Sequence, residues 1–332
     1  MRHFIQLLLF VSICLVLLAW DMQRMLSAPL SLSEPAVISI PRGQSFDRVI
    51  NAWKGQGWVP QRSTLYLKAY GRVSGLAARM QAGEYSVQPG VTAFQLLEQI
   101  RRGEVVEYQL TLVEGWTFEQ AWAAVRAHPK LKPDADISEA DQLMAALGVP
   151  DLHPEGQFLP ETYRFEANLT TVAFMRRAHE AMQRTVKLVW ETRQPELPLQ
   201  SPSDMQILAS IIERETGVAA EREQIAGVFV RRLRLGMRLQ TDPTVIYGLG
   251  AAFDGNLRRI DLRTDTPYNT YTRHGLPPTP ICLPGTAALR AAVQPADGDA
   301  LFFVSRRDGS HQFSATIEEH NAAVRRYQLG QR

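Results

Sequence analysis

The chain has 332 residues, 45% of them hydrophobic, which is enough for a substantial core and long enough for two modest domains. Lys and Arg total 36 against 34 Asp and Glu, a net charge of +2, so no nucleic acid partner is indicated and a neutral polysaccharide suits the chain equally well. The two cysteines, Cys14 and Cys282, make no disulfide framework, because the first lies inside an apolar run, and they do not exclude an oxidising compartment.

Met1-Arg2-His3 precede Phe4 to Trp20, an apolar stretch broken only by Gln6 and Ser12. At about 1.5 Å per residue it spans roughly 25 Å, a little under the ~30 Å hydrocarbon core, and Trp20 suits an interfacial anchor. Residues 1–20 are therefore expected as a cytoplasmic end and transmembrane anchor. A cleaved signal ending near Ala28 is the competing reading. Either delivers the remainder outside the cytoplasm, and Arg2 favours a cytoplasmic N-terminus, a bias that Arg24 weakens.

Residues 21–35 are polar and rich in Ser and Pro, as a tether would be. A pattern of strand, Gly-containing turn and helix then occurs three times: Ile38 to Trp53, Tyr85 to Ile100, and Tyr108 to Val125. Thr92 with Gln95, and Thr117 with Gln120, have capping-box spacing. These repeats predict a small α+β module over 36–127. Residues 128–154 read as a connector with one helix near Ser138 to Leu147, and 155–332 as a larger domain. Helices are expected at Thr170 to Glu191, 204–216 and 219–235. The stretch Gln240 to Pro284 is expected as ordered loops, Asp308-Gly309 as a hairpin turn, and Ile317 to Tyr327 as a closing helix.

The segment Ser203 to Gly217 carries the first chemical signal. At about 100° per residue, Glu215 falls at the centre of the stripe made by Leu208, Ile211 and Ile212, whereas Glu213 lies about 160° away beside Gln206 and Ser210, where solvent is expected. Desolvation on that stripe, reinforced by the helix C-terminus, would raise the Glu215 pKa and suit it to general acid work. A buried ion pair with Arg232 or Arg234 explains the same pattern equally well.

Four blocks in order break this tie by resemblance: Ala209-Ser210-Ile211-Ile212-Glu213-Arg214-Glu215-Thr216, Gly236 to Gly248 around Gln240-Thr241-Asp242-Pro243, Pro267-Tyr268-Asn269-Thr270-Tyr271, and Gly275-Leu276-Pro277-Pro278. With Leu159-Pro160-Glu161-Thr162-Tyr163 and Pro284-Gly285, they resemble the MltG-type (YceG-like) endolytic murein transglycosylases. Departures are Pro278-Thr279 in place of Pro-Gly, and Cys282 where a small residue is expected.

The resemblance implies an α+β fold: an N-terminal transmembrane helix, a small LysM-like module at 36–127 and a larger α+β catalytic domain at 155–332. It implies a bacterial cytoplasmic (inner) membrane enzyme that cleaves the MurNAc-GlcNAc bond within strands, with Glu215 as catalytic acid, and limits nascent strand length. Its partners would be peptidoglycan glycan strands and peptidoglycan synthases. Gln240, Thr241, Asp242, Tyr268, Asn269 and Tyr271 are candidates for binding sugar hydroxyls and acetamido groups, although Asp242-Pro243 and Asn269 also suit turns. Glu161 reads as a second acid or, better, as a cap beside Pro160. The seven His residues show no HExxH arrangement and no phosphate-binding glycine loop occurs, so no metal or cofactor is expected. A hydrolytic muramidase and a non-catalytic peptidoglycan-binding scaffold are the rival functions.

Overall fold

The computed structural model describes residues 2–330; Met1, Gln331 and Arg332, at the outer ends of the expected anchor and catalytic segments, lie outside the described residues. The chain forms two compact units, Met1–Tyr108 with Arg164–Asn168, and Gln109–Tyr163 with Leu169–Arg332. It mixes helix and sheet throughout.

In the first unit, α1 (Arg2–Leu26) runs six residues beyond Trp20, and its 25 residues reach about 37 Å, enough to cross a ~30 Å core. Its window His3–Leu26 is long and apolar enough to span a membrane. The stretch expected as tether is packed rather than free: Leu26 and Leu30 are buried. There follow β1 (Ala36–Ile40), α2 (Phe46–Gly55), α3 (Gln61–Val73), α4 (Leu76–Arg79), β2 (Gly83–Val87) and α5 (Ala93–Arg102). Strands β1 and β2 pair antiparallel with Ile38 opposite Tyr85, and the helices cover one face of that ribbon with Ile50, Trp53, Leu67, Leu96 and Ile100. The capping box at Thr92 and Gln95 is formed.

No apolar periodicity predicts α3, and the structure shows why. Its buried face is made of Ser63, Thr64, Leu67 and Gly71, and an added Cβ at Gly71 would collide with the Phe46 ring. Asp21 on α1 accepts from Arg62 Nη2 and Tyr66 Oη on α3, each at 2.6 Å.

The chain continues through β3 (Glu107–Thr111), α6 (Phe118–Ala127), β4 (Leu131–Lys132), α7 (Ala140–Leu147), β5 (Thr162–Glu166), β6 (Leu169–Thr170) and α8 (Thr171–Glu191). Then come α9 (Pro202–Glu215), α10 (Arg222–Arg234), α11 (Asp242–Leu249), α12 (Arg259–Arg263), α13 (Thr286–Val293), β7 (Phe302–Ser305), β8 (His311–Ser314) and α14 (Ile317–Tyr327). β3 pairs with β5, β4 runs parallel to β6, and β7 with β8 forms the antiparallel hairpin. The boundary between the units falls inside the third repeat. Its helix α6 buries Phe118, Ala121, Trp122 and Val125 in the second unit, the Phe118 ring 5.6 Å from Phe158.

The second unit is built around α9. Met205, Leu208, Ala209, Ile211 and Ile212 are fully buried against α8, α10 and α13. Each of these side chains other than Ala209 contributes roughly 1.5–3 kcal/mol on burial. Two expectations are corrected here. The stretch Gln240 to Pro284 is not loop alone, since Pro243 sits in the first turn of α11, where its missing N–H costs nothing, and α12 follows. The far side of α9 is not solvated either. Gln206 and Ser210 are buried because Gln206 Nε2 donates to Gly156 O (3.2 Å) and Ser210 Oγ accepts from Ile281 N (3.0 Å).

Candidate functional site

Helix α9 starts where Ser201 Oγ accepts from Asp204 N (3.2 Å) and Pro202 occupies the first turn. It stops at Thr216, which is extended. Glu215 is thus the last helical residue, placed where the helix dipole disfavours negative charge.

The segment entering α11 supplies its partner. Gln240 holds a left-handed φ of 51°, and its N–H donates to Thr270 O at 3.1 Å. Thr241 N donates to Thr270 Oγ1 (3.0 Å), and Thr244 Oγ1 donates to Thr241 O (2.8 Å), so three buried threonines fix this turn. The Thr241 hydroxyl then donates to Glu215 Oε1.

Glu215, Gln240, Asp242 and Tyr271 line one open cleft of about 410 Å³, together with Arg232, Phe302, His311 and His320. Burial pushes the Glu215 carboxyl up to about 7, and the nearby Asp242 charge adds to the rise; the Thr241 hydrogen bond, His311 and Arg232 oppose it. Although Glu215 lies in the cleft wall, no salt bridge to it occurs among the described residues. Arg232 spends its donors on backbone carbonyls instead: Leu301 O (2.6 Å), Leu239 O (2.8 Å) and Arg238 O (3.2 Å). Its guanidinium carbon lies 5.1 Å from the Phe302 ring centroid. Arg234 turns elsewhere, donating to Glu196 O at 3.2 Å. The ion-pair explanation of Glu215 therefore has no partner in place.

The remaining candidates divide. Tyr271 Oη donates to Asp242 Oδ1 at 2.6 Å, so these two act as one polar edge of the cleft. Asn269 is fully buried and lies outside the cleft lining; its Nδ2 donates to Asp261 O, Leu262 O and Thr264 O, and its Oδ1 accepts from Tyr271 N. Tyr268 packs its ring 4.9 Å from that of Tyr247 and pairs its hydroxyl with Thr279 Oγ1 at 2.9 Å. Both hold the loop from behind. The Glu161 carbonyl accepts from Leu112 N (3.0 Å), and its side chain is exposed.

Glu213 is corrected outright. Its side chain is only 6% exposed, Oε2 accepts from Gly285 N at 2.9 Å, and Arg222 Nη2 stands 3.7 Å from Oε1. Burial raises its pKa as well.

Sequence reasoning missed three groups. Glu155 is buried, accepts from Phe118 N at 2.9 Å and from the Tyr247 hydroxyl, and burial lifts it to about 7. His311 and Glu221 meet at 2.7 Å although 90 residues separate them, and no local pattern announces such a pair.

The profile of the YceG-like family matches residues 38–326. The chain belongs to the YceG-like family. An endolytic murein transglycosylase of Bacillus subtilis (strain 168) is 32% identical over 312 residues, covering 87% of this chain and 84% of that protein. A Streptococcus pneumoniae (strain R6) protein of the same description is 25% identical over 322 residues, which is 86% of this chain and 57% of the longer relative. Among solved structures, a yceG-like protein of Listeria monocytogenes aligns with a TM-score of 0.56 at 28% identity, covering 88% of this chain and 99% of that one. The YceG-like match takes in both compact units and every residue of the cleft except Gln328.

Proposed function

We propose that this chain is an endolytic murein transglycosylase with Glu215 as its general acid. It cleaves the MurNAc-GlcNAc bond within peptidoglycan strands and leaves 1,6-anhydro-MurNAc ends. The observation that carries the site assignment is the Glu215 carboxyl: held near pH 7 by burial, facing an open cleft, and touched by a hydroxyl rather than a cation.

A carboxyl group with that pKa is protonated in a large fraction of molecules at neutral pH and can hand its proton to the leaving glycosidic oxygen. The Thr241 hydroxyl orients it, and α11 and the buried threonines hold Thr241. The acetamido group of the muramic residue supports the anomeric carbon as the C1–O bond breaks, and the muramic 6-hydroxyl closes on C1. No water-activating carboxylate is required, unlike in hydrolytic glycosidases. Gln240, Asp242 and Tyr271 are assigned to the sugar edge, with Tyr268 and Asn269 shaping the loop that carries Tyr271. Asp242 gives the muramidase alternative its one foothold, a second carboxyl in the same cleft.

The apolar helix α1, the one helix long and apolar enough to cross a membrane among the described residues, supports a single-pass protein of the bacterial cytoplasmic (inner) membrane, and we assign its N-terminus to the cytoplasm and the second unit to the extracytoplasmic side. The repeats within 36–127 are assigned a LysM-like role in holding the glycan, and 155–332 the catalytic role. Peptidoglycan synthases, which make the strand that is trimmed, are the partners this function implies. Purified full-length protein acting on nascent glycan should yield anhydro ends by mass spectrometry. Reducing MurNAc ends would instead mark a muramidase, and intact glycan a binding scaffold.

A further inference from the structure

The cleft contains a second group built for proton transfer. His311, on β8, presents Nδ1 to Glu221 Oε2 at 2.7 Å, and its own backbone N–H donates to Glu221 Oε1 at 2.9 Å. Glu221 therefore grips the residue at two points. Both side chains are nearly covered, at 11% and 12% exposure, which shields the pair from competing water. Glu221 directly precedes the first turn of α10, where the helix dipole favours a carboxylate. Opposite Ser305 across the hairpin, His311 also meets the Phe303 ring edge-on, with centroids 5.4 Å apart and planes at 88°, so the imidazole plane is fixed.

A carboxylate on Nδ1 selects the tautomer that carries its proton there and leaves a lone pair on Nε2. No hydrogen bond to Nε2 occurs among the described residues. His311 lines the same cleft as Glu215, and the two interact electrostatically. The other titratable or charged groups on that cleft are Arg232, Asp242, Tyr271 and His320. Asp242 is engaged by Tyr271, Arg232 is committed to carbonyls, and His320 stacks on Phe302 with centroids 5.3 Å apart. Of the two histidines on the cleft, His311 is the one whose ring is held by a carboxylate on Nδ1, whereas His320 Nδ1 has no partner among the described residues.

We propose that His311, oriented by Glu221, is the base that takes the proton from the attacking muramic 6-hydroxyl; this rests on the transglycosylase reading above. The step balances without any further reagent. The O6–H bond breaks and its proton goes to His311 Nε2, O6 bonds to C1, the C1–O4 bond breaks, and Glu215 gives its proton to O4. The enzyme is left with an imidazolium and a carboxylate in one cleft, and return of the proton from His311 to Glu215 restores the starting state. His311 is thus a catalytic residue, whereas Glu221 is a positioning residue.

The test uses full-length protein and nascent glycan. His311→Ala should lower anhydro-end formation by about 10²-fold, within the usual range for positioned proton transfer, and added imidazole should restore part of it. His311→Gln retains a hydrogen-bonding side chain toward Glu221 but cannot take a proton, so it should fold, bind glycan and remain as slow. Glu221→Gln should lower kcat while KM stays near the wild-type value. The proposal is overturned if folded His311→Gln cleaves within a few-fold of wild type, or if folded His311→Ala is slow and imidazole restores nothing. Wild-type protein that forms no anhydro ends would instead refute the transglycosylase function, so the two failures are told apart.

Discussion

Replacing Glu215 by Gln should stabilise the protein at neutral pH and leave it unchanged in acid. Below about pH 4.5 the carboxyl is protonated in both folded and unfolded chains, and the substitution is nearly neutral. Between that value and about 7 the unfolded chain ionises while the folded one keeps its proton, so wild-type stability falls as pH rises. At about 1.4 kcal/mol per pH unit the ceiling is about 3 kcal/mol at pH 8, reduced by the partial exposure of the residue. The amide still accepts from the Thr241 hydroxyl, so that contact survives. Glu155, also raised to about 7, titrates in both proteins and cancels in the difference. Denaturant unfolding of wild type and Glu215→Gln at pH 4.5, 6 and 8 reads this directly. A variant less stable than wild type by roughly 3–5 kcal/mol at pH 8 would refute the reasoning, because that loss is the mark of a stranded buried cation.

Glu213→Ala should cost about 1–3 kcal/mol, since it leaves the Gly285 N–H without its acceptor and Arg222 without its partner; a melting temperature equal to wild type would contradict this. Gly227→Ala should destabilise by about 1–3 kcal/mol, because the new Cβ would stand 2.5 Å from Ala296 O on a fixed backbone, and thermal unfolding checks it. Exchanging residues 3–26 for a cleavable signal should move the protein from the membrane pellet to the soluble extracytoplasmic fraction; a wild-type protein already soluble there would count against the anchor.

Local features were legible in the sequence. Capping boxes at Thr92 and Thr117 depend on residues three apart, and both formed. Helix α8 follows from a stripe whose burial and spacing agree. Features with distant partners were not. The wheel selected Glu215 on a contrast with Glu213 that the structure removes, because Gly285 N and Arg222 reach the far side of α9 from other segments. Glu215 stands apart for a different reason: it opens on the cleft with only a hydroxyl beside it. Asn269 and Tyr271 sit two residues apart with nothing local to separate them, yet the first is spent on three carbonyls and the second faces the cleft. The third repeat has the pattern of the first two, but β3 pairs with β5 rather than with β1 or β2. Strand pairing is decided by partners that periodicity does not name.

The most direct test of Glu215 as the acid is the rate of anhydro-end formation on purified nascent glycan by folded Glu215→Gln, read by mass spectrometry beside wild type. Removing the titratable proton while keeping the side-chain size should lower that rate by about 10²-fold or more. A folded Glu215→Gln protein that forms anhydro ends at the wild-type rate would contradict the assignment.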